Sequence, residues 1–181
     1  RMKKSLIIYN EPAPDALPDE LDVLDQVNFI DDTLKKLGYI VSRRGITHDF
    51  YNEIAQVAGE NYDFVFNLVE SVNQKAEILY FIPALLNMHH IPYTGCPVEA
   101  TFMTSSKVLA RNIMIANGIP VAKGYMVSEA DKLLTGKKYI LKPVWEDGSL
   151  GMTEESVFTF NGKPPEIFEG KNDMHWFIEE F

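Results

Sequence analysis

A lysine at the end of an apolar run precedes a segment punctuated by glycines. Lys142 ends the run YILK, and Gly148, Ser149 and Gly151 follow it closely. Glycines let backbone amides approach an anion, and the serine adds a hydroxyl donor. The order differs from the Walker loop, in which the lysine follows the glycines. These residues predict phosphate binding, and the structural alternative is a turn or hairpin that leads to a strand at Val157.

Lys107, Glu179 and Glu180 are further candidates for a ligand site. Lys107 lies near the start of a predicted helix, where a cation opposes the helix dipole. Convergence of Lys107 and Lys142 on one polyphosphate would explain that position, and a solvated lysine is the alternative. The two glutamates are adjacent in a predicted strand, so they point to opposite faces. One of them can line a site while the other meets water.

The first half of the chain alternates between strands and helices. Strands are predicted at 5–9, 39–41 and 63–69, and helices at 21–37, 51–58 and 76–88. This order indicates a parallel sheet with helices on its faces. Ligands bind such sheets beyond the carboxyl ends of the strands, which here means Asn10–Glu11 and Glu70–Ser71.

The pattern changes after about Pro97. A helix capped by Thr104, Ser105 or Ser106 is predicted to run to Asn117, and a short helix is predicted at 128–134. Extended segments are predicted at 121–127, 139–142, 157–160 and 176–181, with a hairpin signal at 161–162. The second half therefore reads as α+β with an antiparallel sheet. The expected domains are 1–98 and 99–181.

Composition and charge exclude several classes of function. The chain has 181 residues, a formal net charge of -9 and 46% hydrophobic residues. An acidic chain of this kind lacks the basic surface that binds nucleic acid or anionic membranes. Its single cysteine excludes an intrachain disulfide, and no apolar run reaches the length of a membrane span. A cytoplasmic location is expected.

Seven short motifs occur in sequence order: FNLVE (66–70), IPYTG (91–95), SSK (105–107), NGIPVAKGY (117–125), YILKP (139–143), EDGSLGM (146–152) and IEEF (178–181). Together they resemble the ATP-grasp superfamily, and within it the D-alanine–D-alanine ligase group. The resemblance extends over nearly the whole chain. It implies an N-terminal α/β substrate domain followed by the first, α+β part of an ATP-grasp domain.

The resemblance also implies an ATP site. Lys107 and Lys142 would hold the phosphates, and the segment Gly148–Gly151 would cover the transferred phosphate with Ser149 and backbone amides as donors. Glu179 would accept a hydrogen bond from the adenine amino group. Backbone groups of Glu180 and Phe181 would complete the contact with the base.

The chemistry implied is activation of a carboxylate by ATP to an acyl phosphate, followed by attack of an amine. Amino acids are the expected substrates, with a link to peptidoglycan and homodimers as a further expectation. The chain departs from the family at 146–151, where the usual Glu-Gly-Ser-Ser-Val-Gly has lost one serine. The family's N-terminal signature is also absent, and Glu20 is the candidate for binding the amine substrate.

Magnesium is implied as a cofactor together with ATP, and its ligands are expected beyond Phe181. The 181 residues alone are therefore expected to be inactive. The alternative is a non-catalytic nucleotide-binding or assembly module with a ligase-like fold. A flavodoxin- or Rossmann-like domain is disfavoured, because Asn10–Pro14 stands where such folds carry a glycine-rich turn.

Overall fold

The computed structural model describes residues 2–16, 21–146 and 151–181. The chain divides into two compact units, Arg1–Phe102 (unit 1) and Met103–Phe181 (unit 2). Within the described ranges, no helix is long and apolar enough to cross a membrane.

Unit 1 is a parallel sheet with helices on both faces, as the sequence pattern predicts. The sheet order is β2-β1-β3, and β1 pairs in parallel with both neighbours. The central position of β1 follows from its uninterrupted apolar run, since both of its faces are covered. The elements are β1 (Lys4–Asn10), α1 (Asp22–Lys36), β2 (Ile40–Ile46), α2 (Phe50–Ala58), β3 (Phe64–Leu68) and α3 (Phe81–Met88).

Alternate residues of β1 enter two different cores. Leu6 and Ile8 pack in the larger cluster, which includes residues of α2 and α3. Ile7 packs on the other face with Val27 and Leu34 of α1. The helical spacing that predicted α1 therefore marks the stripe with which this helix covers the sheet.

Two expectations for unit 1 need correction. Strand β2 extends to Ile46 and not to Val41, because its backbone pairs with β1 as far as Asn10 opposite Ile46. The helix predicted at 76–88 is only Phe81–Met88, preceded by a single 3-10 turn at Ala76–Ile78. The IPYTG segment lies at an edge of the sheet, where Tyr93 bridges Val65 of β3 in parallel.

Unit 2 contains the predicted antiparallel sheet, in the order β4-β7-β5-β6. One face of this sheet carries a core that includes Tyr139, Leu141 and Ile178. The elements are α4 (Val98–Ser105), which spans the junction of the two units, α5 (Lys107–Ala116), β4 (Gly124–Met126), β5 (Lys138–Pro143), β6 (Val157–Thr159) and β7 (Trp176–Glu180).

Local structure in unit 2 differs from expectation at three points. Helix α4 was not predicted, and the helix expected to end at Asn117 is α5, with Ser106 as its cap. The short helix expected at 128–134 is a kinked 3-10 segment, Val127–Lys132. The predicted hairpin at 161–162 is wrong, because β6 and β7 are not neighbours in the sheet and both pair with β5.

Candidate functional site

Strands β5 and β7 place a lysine and a glutamate side by side. In the antiparallel register Lys142 is opposite Phe177 and Ile140 is opposite Glu179, so all four side chains share one face. Lys142 Nζ donates to Glu179 Oε2 over 2.5 Å. The two side chains are 30% and 18% exposed. The pair is thus partly shielded from water and remains accessible to a ligand.

Lys107 begins α5 beside the end of β5. Ser106 caps this helix by accepting a hydrogen bond from the Leu109 N–H at 3.2 Å. The Lys107 N–H donates to the Val144 carbonyl at 2.9 Å, and its ammonium donates to the Glu146 carbonyl. The structure therefore brings Lys107 to the chain that directly follows Lys142. The first residue of α5 is fixed by its cap and by its hydrogen bond to Val144.

Only part of the predicted phosphate segment can be described. Gly148 and Ser149 lie outside the described residues, and Gly151 lies within them. Gly151 has a φ of +76°, and a Cβ built there would lie 3.5 Å from Trp176 Cη2. Strands β5 and β6 are antiparallel neighbours, so the structural alternative for this segment, a connection between paired strands, is correct as topology. Such a connection does not conflict with phosphate binding.

Glu180 and Phe181, the last two residues of the predicted site, are hydrogen-bonded to neighbouring strand segments. The Glu180 N–H donates to the Lys123 carbonyl at 2.8 Å, and the Phe181 N–H donates to the Lys138 carbonyl at 3.2 Å. The Glu180 carboxylate lies 3.5 Å from Lys137 Nζ. As expected for adjacent strand residues, Glu179 and Glu180 face opposite sides. A base contact through the N–H of Phe181 would have to replace or share its bond to Lys138.

The carboxyl ends of β1 and β3 meet in unit 1, as the parallel topology predicts. Asn10 Oδ1 accepts hydrogen bonds from the N–H groups of Glu70 and Ser71 at 2.8 and 3.2 Å. Asn10 Nδ2 donates to the Ser71 carbonyl at 2.8 Å. One asparagine side chain thus fixes the loop after β3. Glu20, the candidate for binding the amine substrate, lies outside the described residues.

Glu11 is a carboxylate at the same end of the sheet. A Cβ at Gly45 would overlap the Glu11 side chain, so the glycine leaves the room in which this carboxylate lies. Burial and the neighbouring Glu11 carboxylate raise the pKa of the Tyr9 hydroxyl, which donates a hydrogen bond to Glu11. Sequence reasoning located this end of the sheet, but not the contacts of Glu11.

Two other features of the described chain do not add to the site. No group of three or more His, Cys, Asp or Glu side chains that could hold a metal ion occurs in the ranges that the structure covers. A cavity of about 260 Å³ in unit 1 is lined by Lys4, Ile40, Ser42, Glu60 and Tyr62. It includes the first residues of β1 and β2 and thus lies away from the carboxyl ends, where ligands of parallel sheets bind.

Known proteins resemble the chain in sequence and in structure. A D-alanine–D-alanine ligase of Rickettsia typhi is 28% identical over 147 residues, which are 78% of this chain and 44% of that protein. The crystal structure of a Bacillus anthracis D-alanine–D-alanine ligase matches with a TM-score of 0.75 and 16% identity, over 100% of this chain and 58% of that one. The same enzyme complexed with ATP matches with a TM-score of 0.73 and 15% identity, over 100% and 59%.

The matches cover most of this chain but only part of each known protein. No protein-family model matches the chain. The chain spans 44% of the Rickettsia relative and 58% of the Bacillus structure. The structural likeness supports the fold, and the sequence similarity includes several proteins named D-alanine–D-alanine ligase. Together they confirm the resemblance that the motifs predicted: the chain is similar in sequence to D-alanine–D-alanine ligases and resembles their fold over part of their length.

Proposed function

We propose that the chain provides the nucleotide-binding part of an ATP-dependent ligase that joins a carboxylate to an amine through an acyl phosphate. Support comes from the similarity to D-alanine–D-alanine ligases and, in unit 2, from the contact of Lys142 with Glu179 and of Lys107 with the Glu146 carbonyl. Small amino acids are the proposed substrates, with a role in peptidoglycan synthesis. A cytoplasmic location belongs to the same proposal, since ATP and these precursors are available there.

The observation that carries the proposal is the pair of Lys142 and Glu179. An ammonium beside a carboxylate offers one hydrogen-bond donor and one acceptor on the same sheet face. Adenine presents the complementary edge, with N7 as an acceptor next to the N6 amino group as a donor. The 2.5 Å separation of the two side chains keeps both groups within reach of one base. We therefore assign base recognition to the pair.

The two lysines supply positive charge for the phosphates. Catalysis of phosphoryl transfer consists largely of positioning and charge neutralisation. Lys107 is placed by the start of α5 and Lys142 by the end of β5, so both ammonium groups come from regular structure. Bound magnesium would neutralise further phosphate charge, and we assign none of the described residues to it.

An ATP titration followed by calorimetry tests this assignment. Replacing Lys142 by Met removes the donor and a positive charge, so the dissociation constant for ATP should rise by about tenfold or more. Lys163→Met is the matched control, because Lys163 is an exposed lysine of the same unit outside the site. Equal ATP affinity in wild type and Lys142→Met would contradict the proposal.

Base recognition has a more specific test with 7-deaza-ATP, which lacks the N7 acceptor. Wild type should bind ATP more tightly than this analogue, and Lys142→Met should bind the two alike. Glu179→Met should weaken both nucleotides, since it removes the acceptor for the N6 amino group. Discrimination between the two nucleotides that persists in Lys142→Met would show that another group contacts N7.

Turnover separates the enzyme from the binding module. With ATP, magnesium and D-alanine, an ATP-dependent ligase releases phosphate as it joins its substrates. Phosphate release by the full-length protein that depends on D-alanine would favour the ligase. ATP binding by the same protein without such release would favour the non-catalytic module.

A further inference from the structure

One short turn of unit 2 contacts the chain that leaves β5. The Val144 N–H donates to the His175 carbonyl at 2.8 Å. The Trp145 indole Nε1–H donates to the Met174 carbonyl at 3.0 Å. Two consecutive residues of the turn thus hold two consecutive residues that follow Lys142. The turn makes these contacts with its backbone carbonyls, so they depend on its backbone conformation.

The next residue of the turn, Trp176, lies close to Gly151. A Cβ built on Gly151 would lie 3.5 Å from Trp176 Cη2, which is van der Waals distance. Lys171 Nζ lies 4.0 Å from the centroid of the same ring, within the range of a cation–π interaction. Lys171 therefore restrains the ring that lies next to Gly151.

Asn172 orders this turn. Its carbonyl accepts hydrogen bonds from the N–H groups of His175 and Trp176 at 3.2 and 2.9 Å. Its side-chain Oδ1 accepts from the Met174 N–H at 3.1 Å. The turn Asn172–Trp176 is thus internally bonded at each of the three residues that contact the chain after β5. Such a turn can set the position of its neighbours.

We propose that Trp176 is a positioning residue for ATP binding, which acts through Gly151. Gly151 has a left-handed φ, and glycine loses more conformational freedom on ordering than any other residue. A rigid aromatic surface that excludes other positions of the glycine lowers the entropic cost of presenting its backbone to a phosphate. This inference rests on the proposed function and adds to it a turn that the resemblance does not assign to the site.

The test compares ATP with adenosine, which carries the base but no phosphates. Trp176→Leu should weaken ATP binding by about tenfold and leave adenosine binding nearly unchanged, because small displacements of positioned groups are costly. A purely structural role of Trp176 would change both affinities or neither. Trp176→Phe keeps an aromatic surface and should retain most of the ATP affinity. Calorimetry is the readout, because Trp176 is itself a fluorophore.

Lys171→Met provides a second variant that keeps Trp176 in place. It should lower ATP affinity selectively and by a smaller factor, about twofold to threefold, while Lys163→Met leaves it unchanged. If Trp176→Leu fails to fold, Lys171→Met alone tests the inference, through the ratio of its dissociation constants for ATP and adenosine. A ratio equal to that of wild type would overturn the positioning role of Trp176. A wild-type chain that binds no ATP refutes the proposed function and this inference together. Wild-type binding with an unchanged ratio in the variants refutes the inference alone.

Discussion

The two units use charged residues in different ways. In unit 1, Asp31 of α1 is 3% exposed and bonds to Arg43 of β2 and Lys35 of its own helix. In unit 2, Lys142 and Glu179 both belong to strands of one sheet and lie on the same face, partly exposed. The pair of Asp31 and Arg43 joins a helix to a sheet. The pair of Lys142 and Glu179 joins two strands that already share backbone hydrogen bonds.

This difference indicates which charges serve the fold and which can serve a ligand. A buried carboxylate without its cation carries a large desolvation cost, so the contacts of Asp31 cannot be given up without loss of stability. A partly exposed pair contributes little to stability, since water solvates both groups when they separate. Lys142 and Glu179 can therefore give up their mutual contact for a ligand at a small cost in stability.

Core substitutions should have the largest effects, because each should destabilise the unit in which it lies. Leu6 and Leu141 are both fully buried, one in each unit. Replacing either by Ala should lower the free energy of unfolding of its own unit by about 2–5 kcal/mol, through lost burial and the cavity left behind. Both tryptophans, Trp145 and Trp176, lie in unit 2. Tryptophan fluorescence therefore reports unit 2 alone, while far-UV circular dichroism reports both units.

Leu141→Ala should shift the fluorescence transition to lower urea concentration, and Leu6→Ala should shift only the circular dichroism transition. The control is the wild-type chain followed by both probes. Identical shifts of both probes in both variants would show that the units unfold as one cooperative body, and the separation of the two cores would then have no energetic meaning.

Removal of a carboxylate from each unit should have unequal effects. Asp31→Ala leaves Arg43 without its main partner, but Arg43 is 38% exposed and can reach water. The expected loss is therefore about 2 kcal/mol, below the range for a fully buried pair. Glu179→Ala should cost less than about 1 kcal/mol and should weaken ATP binding, which Asp31→Ala should leave unchanged. Urea unfolding and calorimetry measure the two effects, and equal stability losses would argue against the distinction.

Local patterns predicted the regular parts of the fold. The apolar spacing predicted α1, and the apolar runs predicted β1 and β3, because one buried face determines each pattern. The end of β2 could not be predicted, because two arginines in an edge strand look like a polar loop in the sequence. Their acidic partners lie on other elements and become visible only in the structure. Helix α4 was missed because no residue of it is buried, so it lacks a clear apolar stripe.

The candidate site could be predicted as a set of residues but not as an arrangement. Lys142 and Glu179 were each assigned a role from the motifs, with phosphates for one and adenine for the other. Their contact depends on the pairing of β5 with β7, and β6 lies between them in the sequence. Local sequence does not encode such a non-local register. Trp176 was read only as part of a strand, since nothing in the sequence places it against Gly151.

The need of Asp31 for a cationic partner could have been predicted from its position in α1. Val27 and Leu34 are buried on one face of α1, with Ile30 partly buried beside them. Asp31 lies on this face, one turn after Val27. An acidic residue on an apolar face requires a partner. Lys35 follows by one turn, which is the favourable order for an acid and a base on a helix. The more distant Arg43 became visible only with the fold.

The pH dependence of stability gives the smallest of these effects and isolates Asp31. Burial by itself raises the pKa of its carboxyl, but the hydrogen bonds and charges of Lys35 and Arg43 outweigh burial and hold this pKa below the ordinary value of 3.8. The folded state therefore favours the charged form more strongly than the unfolded chain does. The resulting stabilisation is fully present above the unfolded pKa, and it is lost as pH falls through the folded pKa.

Wild type should accordingly lose more free energy of unfolding than Asp31→Asn between about pH 5 and pH 2.5, because the amide has no proton to bind. Glu60, whose pKa is lowered chiefly by the hydrogen bond from Arg44, titrates in both proteins and cancels in the difference. Urea unfolding of unit 1, followed by circular dichroism, measures this difference at each pH. A difference that stays constant down to pH 2.5 would mean that the charge of Asp31 stabilises the unfolded chain as much as the fold. The contrast between a structural pair in unit 1 and an exchangeable pair in unit 2 would then lose its electrostatic basis.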